Sequence, residues 1–129
     1  MTIFNRTVGN LTLLCLLTLT LAACDRQQPI SYSKDVRPIL DQYCMDCHRP
    51  GKEGELASGF NMESYEGVMK GTRYGAMVIA GDALGSNMIV LMEGRADPSI
   101  NMPHGTEENV SELEIQTIRS WIDQGAKNN

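Results

Sequence analysis

Two cysteines and a histidine fall within five residues, Cys44-Met45-Asp46-Cys47-His48, and nothing else in the chain restricts its fold as much. Cys-x-x-Cys-His is the attachment signature for c-type haem. Two thiols three positions apart on one helical turn reach the two vinyl groups of a porphyrin and form thioethers. The adjacent imidazole then lies under the iron and supplies an axial nitrogen. A chain that does this wraps a large apolar ring, so its own side chains need supply only part of the core.

Other uses of the motif fit less well. A thioredoxin-like redox pair opens a helix after a strand, whereas here the pair closes a helical stretch with no strand before it. Structural zinc needs a second ligand pair, and outside the N-terminal segment only His104 is available to join. A plain disulfide, the default for an exported chain, does not require His48.

Export is read from the N-terminus. Arg6 is the only charge before Asp25, and it precedes the apolar run Leu11 to Leu21 and the small residues Ala22 and Ala23. That order is a secretory signal, and the run is shorter than the roughly 20 residues of a membrane-spanning helix. Leu21-Ala22-Ala23-Cys24 resembles a bacterial lipobox, in which the cysteine becomes the first mature residue and its thiol carries lipid. We expect residues 1–23 to be the signal, 24–33 to be lipidated Cys24 with a short polar tether, and 34–129 to be one domain. Such a tether spans roughly 30 Å at most and keeps the domain near its membrane. Asp25 after the lipid cysteine resembles an inner-membrane retention signal, so the expected location is the periplasmic face of the inner membrane. The mature chain carries ten basic and sixteen acidic side chains, net −6. That balance argues against nucleic acid and for partners with a basic docking patch.

The segment Asp35 to His48 reads as the first helix, with Asp35 as N-cap, Pro38 in the first turn, and Val36, Ile39, Leu40 and Tyr43 as its apolar face. Residues 51–60 read as a glycine-rich loop. Ser64 to Gly71 and Ser86 to Gly94 read as short helices, the second buried. The clearest element is the last: Ser111 and Glu114 form a capping box, and Ile115, Ile118, Trp121 and Ile122 share one face up to a stop at Gly125. The expected fold is all-α. Aromatic side chains are few, one Trp, four Tyr and two Phe, so a haem would complete the core.

From about Ser31 to Lys127 the chain resembles small monohaem c-type cytochrome domains of the planctomycete type, relatives of class I cytochromes c. The matching pieces are "DVRPIL", "CMDCH", "GDALGSNM", "NMPHG" and "LEIQTIRSWIDQGA". The resemblance implies a class I-like helical fold around one covalently bound haem. In it the haem-motif helix crosses the C-terminal helix, and a methionine, here Met102, arrives as distal ligand from a loop before the latter. The family's loop often reads Met-Pro-Pro, whereas His104 follows Pro103 here.

From the residues alone the sixth iron position has more than one candidate. Met88 and Met92 read as core filler in an apolar helix. Met45 points away between the cysteines, and Met62, Met69 and Met77 have no context placing them near iron. Met102 stands out because Pro103 stiffens its backbone toward an extended form. If that form continues, Met102 and His104 face the same side, and His104 competes for the iron or modulates it. The expected site is therefore Cys44, Cys47 and His48, with Met102, or less readily His104, opposite.

The expected function is one-electron transfer by a carrier that is not itself an enzyme. The alternatives are a haem sensor or peroxidase-like enzyme with an open sixth position, and a thiol-disulfide oxidoreductase without haem.

Overall fold

The structure, a computed structural model, describes residues 28–104 and 109–129. The expected signal peptide, the lipidation site Cys24 and the start of the tether lie outside the described residues. Among those described there is no strand, only an isolated bridge between Thr72 and Gly75, and the fold is all-α as expected. No described helix is long and apolar enough to cross a membrane.

A π-helical turn, Tyr32–Val36, leads into α1, Arg37–Tyr43. The cap of this unit is Ser31 rather than Asp35: its hydroxyl accepts from Lys34 N, while the Asp35 carboxylate accepts back from Ser31 N at 2.7 Å. The reciprocal bonds satisfy donors at the start of the turn, which a cap at Asp35 would have left open. Pro38 falls in the first turn of α1 as expected, where a missing N–H costs nothing. The helix ends at Tyr43, not at His48, and the haem motif forms the tight turns that follow it.

The folded body also reaches further back than a tether to residue 33 implied. Tyr32 is buried, Ile30 N donates to Gln124 Oε1 at 2.8 Å, and Ser33 N donates to Asn129 O at 3.0 Å.

Three short helices follow: α2, Glu53–Ser58; α3, Tyr65–Lys70; and α4, Asn87–Met92. α2 lies inside the stretch expected to be a loop. Its C-terminal stop is Gly59 at φ 75°, a left-handed cap for which glycine has no steric penalty. α3 is capped by Ser64, whose hydroxyl accepts from Gly67 N, and stops at Gly71. Ser86 precedes α4 but does not cap it; its hydroxyl accepts from Ile79 N and donates to Asp82 O, bracing the preceding loop instead. A 3₁₀ turn, Pro98–Ile100, brings the chain to Met102.

The last helix, α5, Glu112–Asp123, has the expected capping box in both directions. Ile115, Ile118, Trp121 and Ile122 are all buried, so the apolar stripe read from the sequence is the face that packs. Fully burying side chains of this size is worth about 1.5–3 kcal/mol each. α5 packs on the Tyr32–Val36 turn and on α4. At one end Trp121, Tyr32 and Tyr65 form an aromatic cluster with ring centroids 5.2–6.5 Å apart. Two of its polar handles are bonded to backbone: Trp121 Nε1 donates to Lys127 O at 2.9 Å and Tyr65 OH to Ala126 O at 2.8 Å. At the other end the Tyr43 hydroxyl reaches the Glu114 carboxylate at 3.3 Å. Between these two contacts the first helical unit and α5 form a brace beneath the motif.

Candidate functional site

The turn after α1 is held by backbone bonds that leave little freedom. Cys44 N donates to Leu40 O at 2.9 Å, Cys47 N to Cys44 O at 3.2 Å and His48 N to Cys44 O at 2.9 Å. These successive turns bring Cys44, Cys47 and His48 onto the wall of one large cavity of about 730 Å³. That volume lies within the range of small-molecule and cofactor sites. Met102 and His104 line the same cavity from the opposite part of the chain, after the 3₁₀ turn. All five residues expected at the site are thus brought together.

His48 is buried, and its orientation is fixed from behind. Its Nδ1 lies 3.1 Å from the Phe60 carbonyl, which can only accept, so the proton of the neutral ring sits on Nδ1. Nε2 is thereby the lone-pair nitrogen, the state a metal ligand requires, and the bond to a carbonyl fixes the tautomer and the ring's orientation. The Phe60 ring meets the imidazole edge-on at 5.4 Å between centroids, and Met62 N donates to His48 O at 2.8 Å.

The thiols have the opposite character to a redox pair. Burial pushes the Cys44 thiol up to about 12, with smaller contributions from Cys47 and Asp41. The Cys47 thiol is also raised, by desolvation first and then by the Glu53 carboxylate, whose oxygen lies 3.7 Å from Sγ. Reactive thiol-disulfide pairs have depressed values, the reverse of the direction at both thiols here. No group of His, Cys, Asp and Glu among the described residues forms a metal-binding cluster independent of a prosthetic group.

The donor set fits a covalently held haem: two thiols and an oriented imidazole on one wall, a thioether facing the same space, and apolar side chains such as Leu40, Phe60, Val90 and Leu91 between them. The methionines need a correction. Met62 and Met77, for which no sequence context pointed to the iron, and Met88 and Met92, read as core filler, also line the cavity. Met45 is buried outside the cavity lining. Composition held a hint, since eight methionines outnumber the aromatics, and soft unbranched side chains suit the irregular wall around a large ring. The distal loop differs as well: the chain bends at Met102 and Pro103 rather than running extended, and the Met102–Pro103 peptide is cis. Both Met102 and His104 nevertheless line the cavity. Met102 is fixed to α4 by its N–H, which donates to Leu91 O at 3.2 Å.

Residues 44–103 match the family described as Planctomycete cytochrome C. The match opens on the first motif cysteine and closes one residue past Met102, so it spans both walls of the cavity but not α5. No curated protein and no solved structure matches the chain. The family match supports a cytochrome c-type domain, and with it haem-based electron transfer and covalently bound haem c.

Proposed function

With a cytochrome c-type domain as the premise, we propose that the protein is a monohaem c-type cytochrome that carries single electrons at a membrane surface. The observation that carries this reading is the placement of Cys44, Cys47, His48 and Met102 around one cavity. When bound, haem c supplies one-electron exchange between ferric and ferrous iron. Cys44 and Cys47 hold it covalently, and one Cys-x-x-Cys-His motif in the sequence corresponds to one haem. His48 presents Nε2, its ring held by Phe60 O. Met102 would offer the thioether from the far wall, and with His48 and Met102 both bound the iron would have no position for a substrate. The apolar side chains of the wall would limit water around a bound haem, and with it the solvent reorganisation as charge changes.

Partner approach fits the cavity mouth, where Tyr74 is 80% exposed and Ile100 51% exposed. The net acidic body steers towards partners with a basic patch. Lipid on Cys24 would hold the domain to the periplasmic face of a membrane and make it a tethered shuttle or a fixed subunit.

The test is a reductive titration of the purified holoprotein with carbon monoxide present. The proposal expects one haem and one electron per chain, with no carbon monoxide complex formed at once. Immediate binding would instead support a sensor or peroxidase-like protein with an open sixth position.

A further inference from the structure

α2 makes a close approach to the motif that nothing in its own backbone explains. Gly54 sits in the first turn of the helix and is not among the glycines with positive φ. Alanine there would by propensity alone favour the helix. Space is what forbids it: a Cβ at position 54 would lie 2.8 Å from Cys47 O, 2.9 Å from His48 Cε1 and 3.1 Å from His48 Nδ1. The same helix is bonded into the site around this point. Glu55 N donates to Cys47 O at 3.1 Å. The Ser58 hydroxyl donates to Gly54 O at 2.6 Å and accepts from Phe60 N at 3.1 Å, and the Phe60 carbonyl accepts from His48 Nδ1–H. Hydrogen bonds thus link Gly54, Ser58, Phe60 and His48 in a chain, and the close approach of Gly54 to the imidazole brings its two ends together.

From this contact we infer that Gly54 is a positioning residue for the iron ligand: the missing side chain sets how far the His48 ring sits back and keeps its bond to Phe60 O. The inference rests on the proposal that His48 binds haem iron. Neither neighbour can yield easily. Cys47 O is backbone beside a thioether attachment, and the ring is held by Phe60. A methyl group at position 54 therefore turns the ring and weakens the Nδ1 bond. That bond makes the imidazole a stronger donor, which favours ferric iron, so its loss raises the midpoint potential.

The experiment compares wild type, Gly54→Ala, Leu56→Gly and His48→Ala as holoproteins, by haem content, midpoint potential and the g values of the low-spin ferric state. Gly54→Ala is expected to keep one haem per chain, with a higher potential and shifted g values. Leu56→Gly weakens α2 at an exposed position and is expected to lower thermal stability while leaving both readings at wild-type values. If Gly54→Ala leaves the potential and g values unaltered, whether or not it gains the stability that alanine brings to a helix, the glycine does not position the ligand and the inference fails. If His48→Ala leaves both readings unaltered, the failure lies with the haem-ligand proposal instead. Should Gly54→Ala yield no holoprotein, the wild type decides. The ferrous protein must show a short-range nuclear Overhauser contact between the Gly54 α protons and the His48 ring, and its absence overturns the inference.

Discussion

The two ends of the molecule are built on different terms. Around Trp121, Tyr32 and Tyr65 the chain packs against itself, with Trp121 and Tyr32 buried, Tyr65 partly buried, and the indole N–H and Tyr65 hydroxyl bonded to backbone carbonyls. Around His48 the chain builds a wall instead, with oriented donors and apolar side chains facing about 730 Å³ of space. The first end needs nothing further. If the second were a sealed void, the roughly 24 cal/mol per Å³ found for buried cavities would put its cost near 17 kcal/mol. That exceeds the whole stability of an ordinary domain, about 5–15 kcal/mol. Its open mouth lowers the figure, and the comparison makes the cavity end the one expected to depend on a guest.

The largest expected effect breaks the comparison at its weak side. A chain with Cys44→Ala and Cys47→Ala, purified without haem, is expected to lose its near-UV circular dichroism and to expose apolar surface to a hydrophobic dye. A native-like spectrum would show that the cavity end stands alone. Next comes the strong side: Trp121→Ala in the holoprotein is expected to cost about 3–5 kcal/mol in denaturant unfolding, since a buried indole leaves a large void. A loss below about 1 kcal/mol would mean the bound group, not the aromatic cluster, holds that end too.

The capping box of α5 gives a smaller effect with a defined pH dependence. Hydrogen bonds from the Ser111 hydroxyl and backbone N–H hold the Glu114 carboxyl below its usual range. A depressed folded-state value means the carboxylate stabilises the fold above its ordinary range and that this is lost as pH falls through the lowered value. Ser111→Ala is expected to cost about 1 kcal/mol near neutrality. Its deficit should shrink in acid, and a deficit that grows there would contradict the assignment. The smallest effect is at the surface. Arg37 and Asp41 pair at 2.8 Å one helical turn apart, and Asp41→Asn should shift stability by at most about 0.5 kcal/mol.

The contrast between the ends also explains what the sequence disclosed. α3, α4 and α5 were legible because each is bounded by local chemistry: Ser64 and Gly71, Gly94, and the Ser111–Glu114 box. The buried face of α5 followed from periodicity alone. α2 was hidden because its glycines read as loop, while their reasons are tertiary. Gly54 is small for the sake of His48, fifty-four being adjacent to the motif only in space, and Gly59 is a left-handed cap. The early end of α1 at Tyr43 was missed for a related cause, since a helical pattern continues through tight turns without distinction. Of the site, the motif gave Cys44, Cys47 and His48, and a proline after a methionine gave Met102. The methionines at 62 and 77 carried no local mark, because only the fold brings them to the cavity.

On the proposed reading, two walls of one cavity clamp a single haem iron, His48 from one side and Met102 from the other. The most direct measurement is the ferric absorption spectrum of wild type beside Met102→Ala and His104→Ala. The long-wavelength sulfur-to-iron band is expected in wild type, lost in Met102→Ala and kept in His104→Ala. A wild type without that band, or its survival in Met102→Ala, would contradict the account.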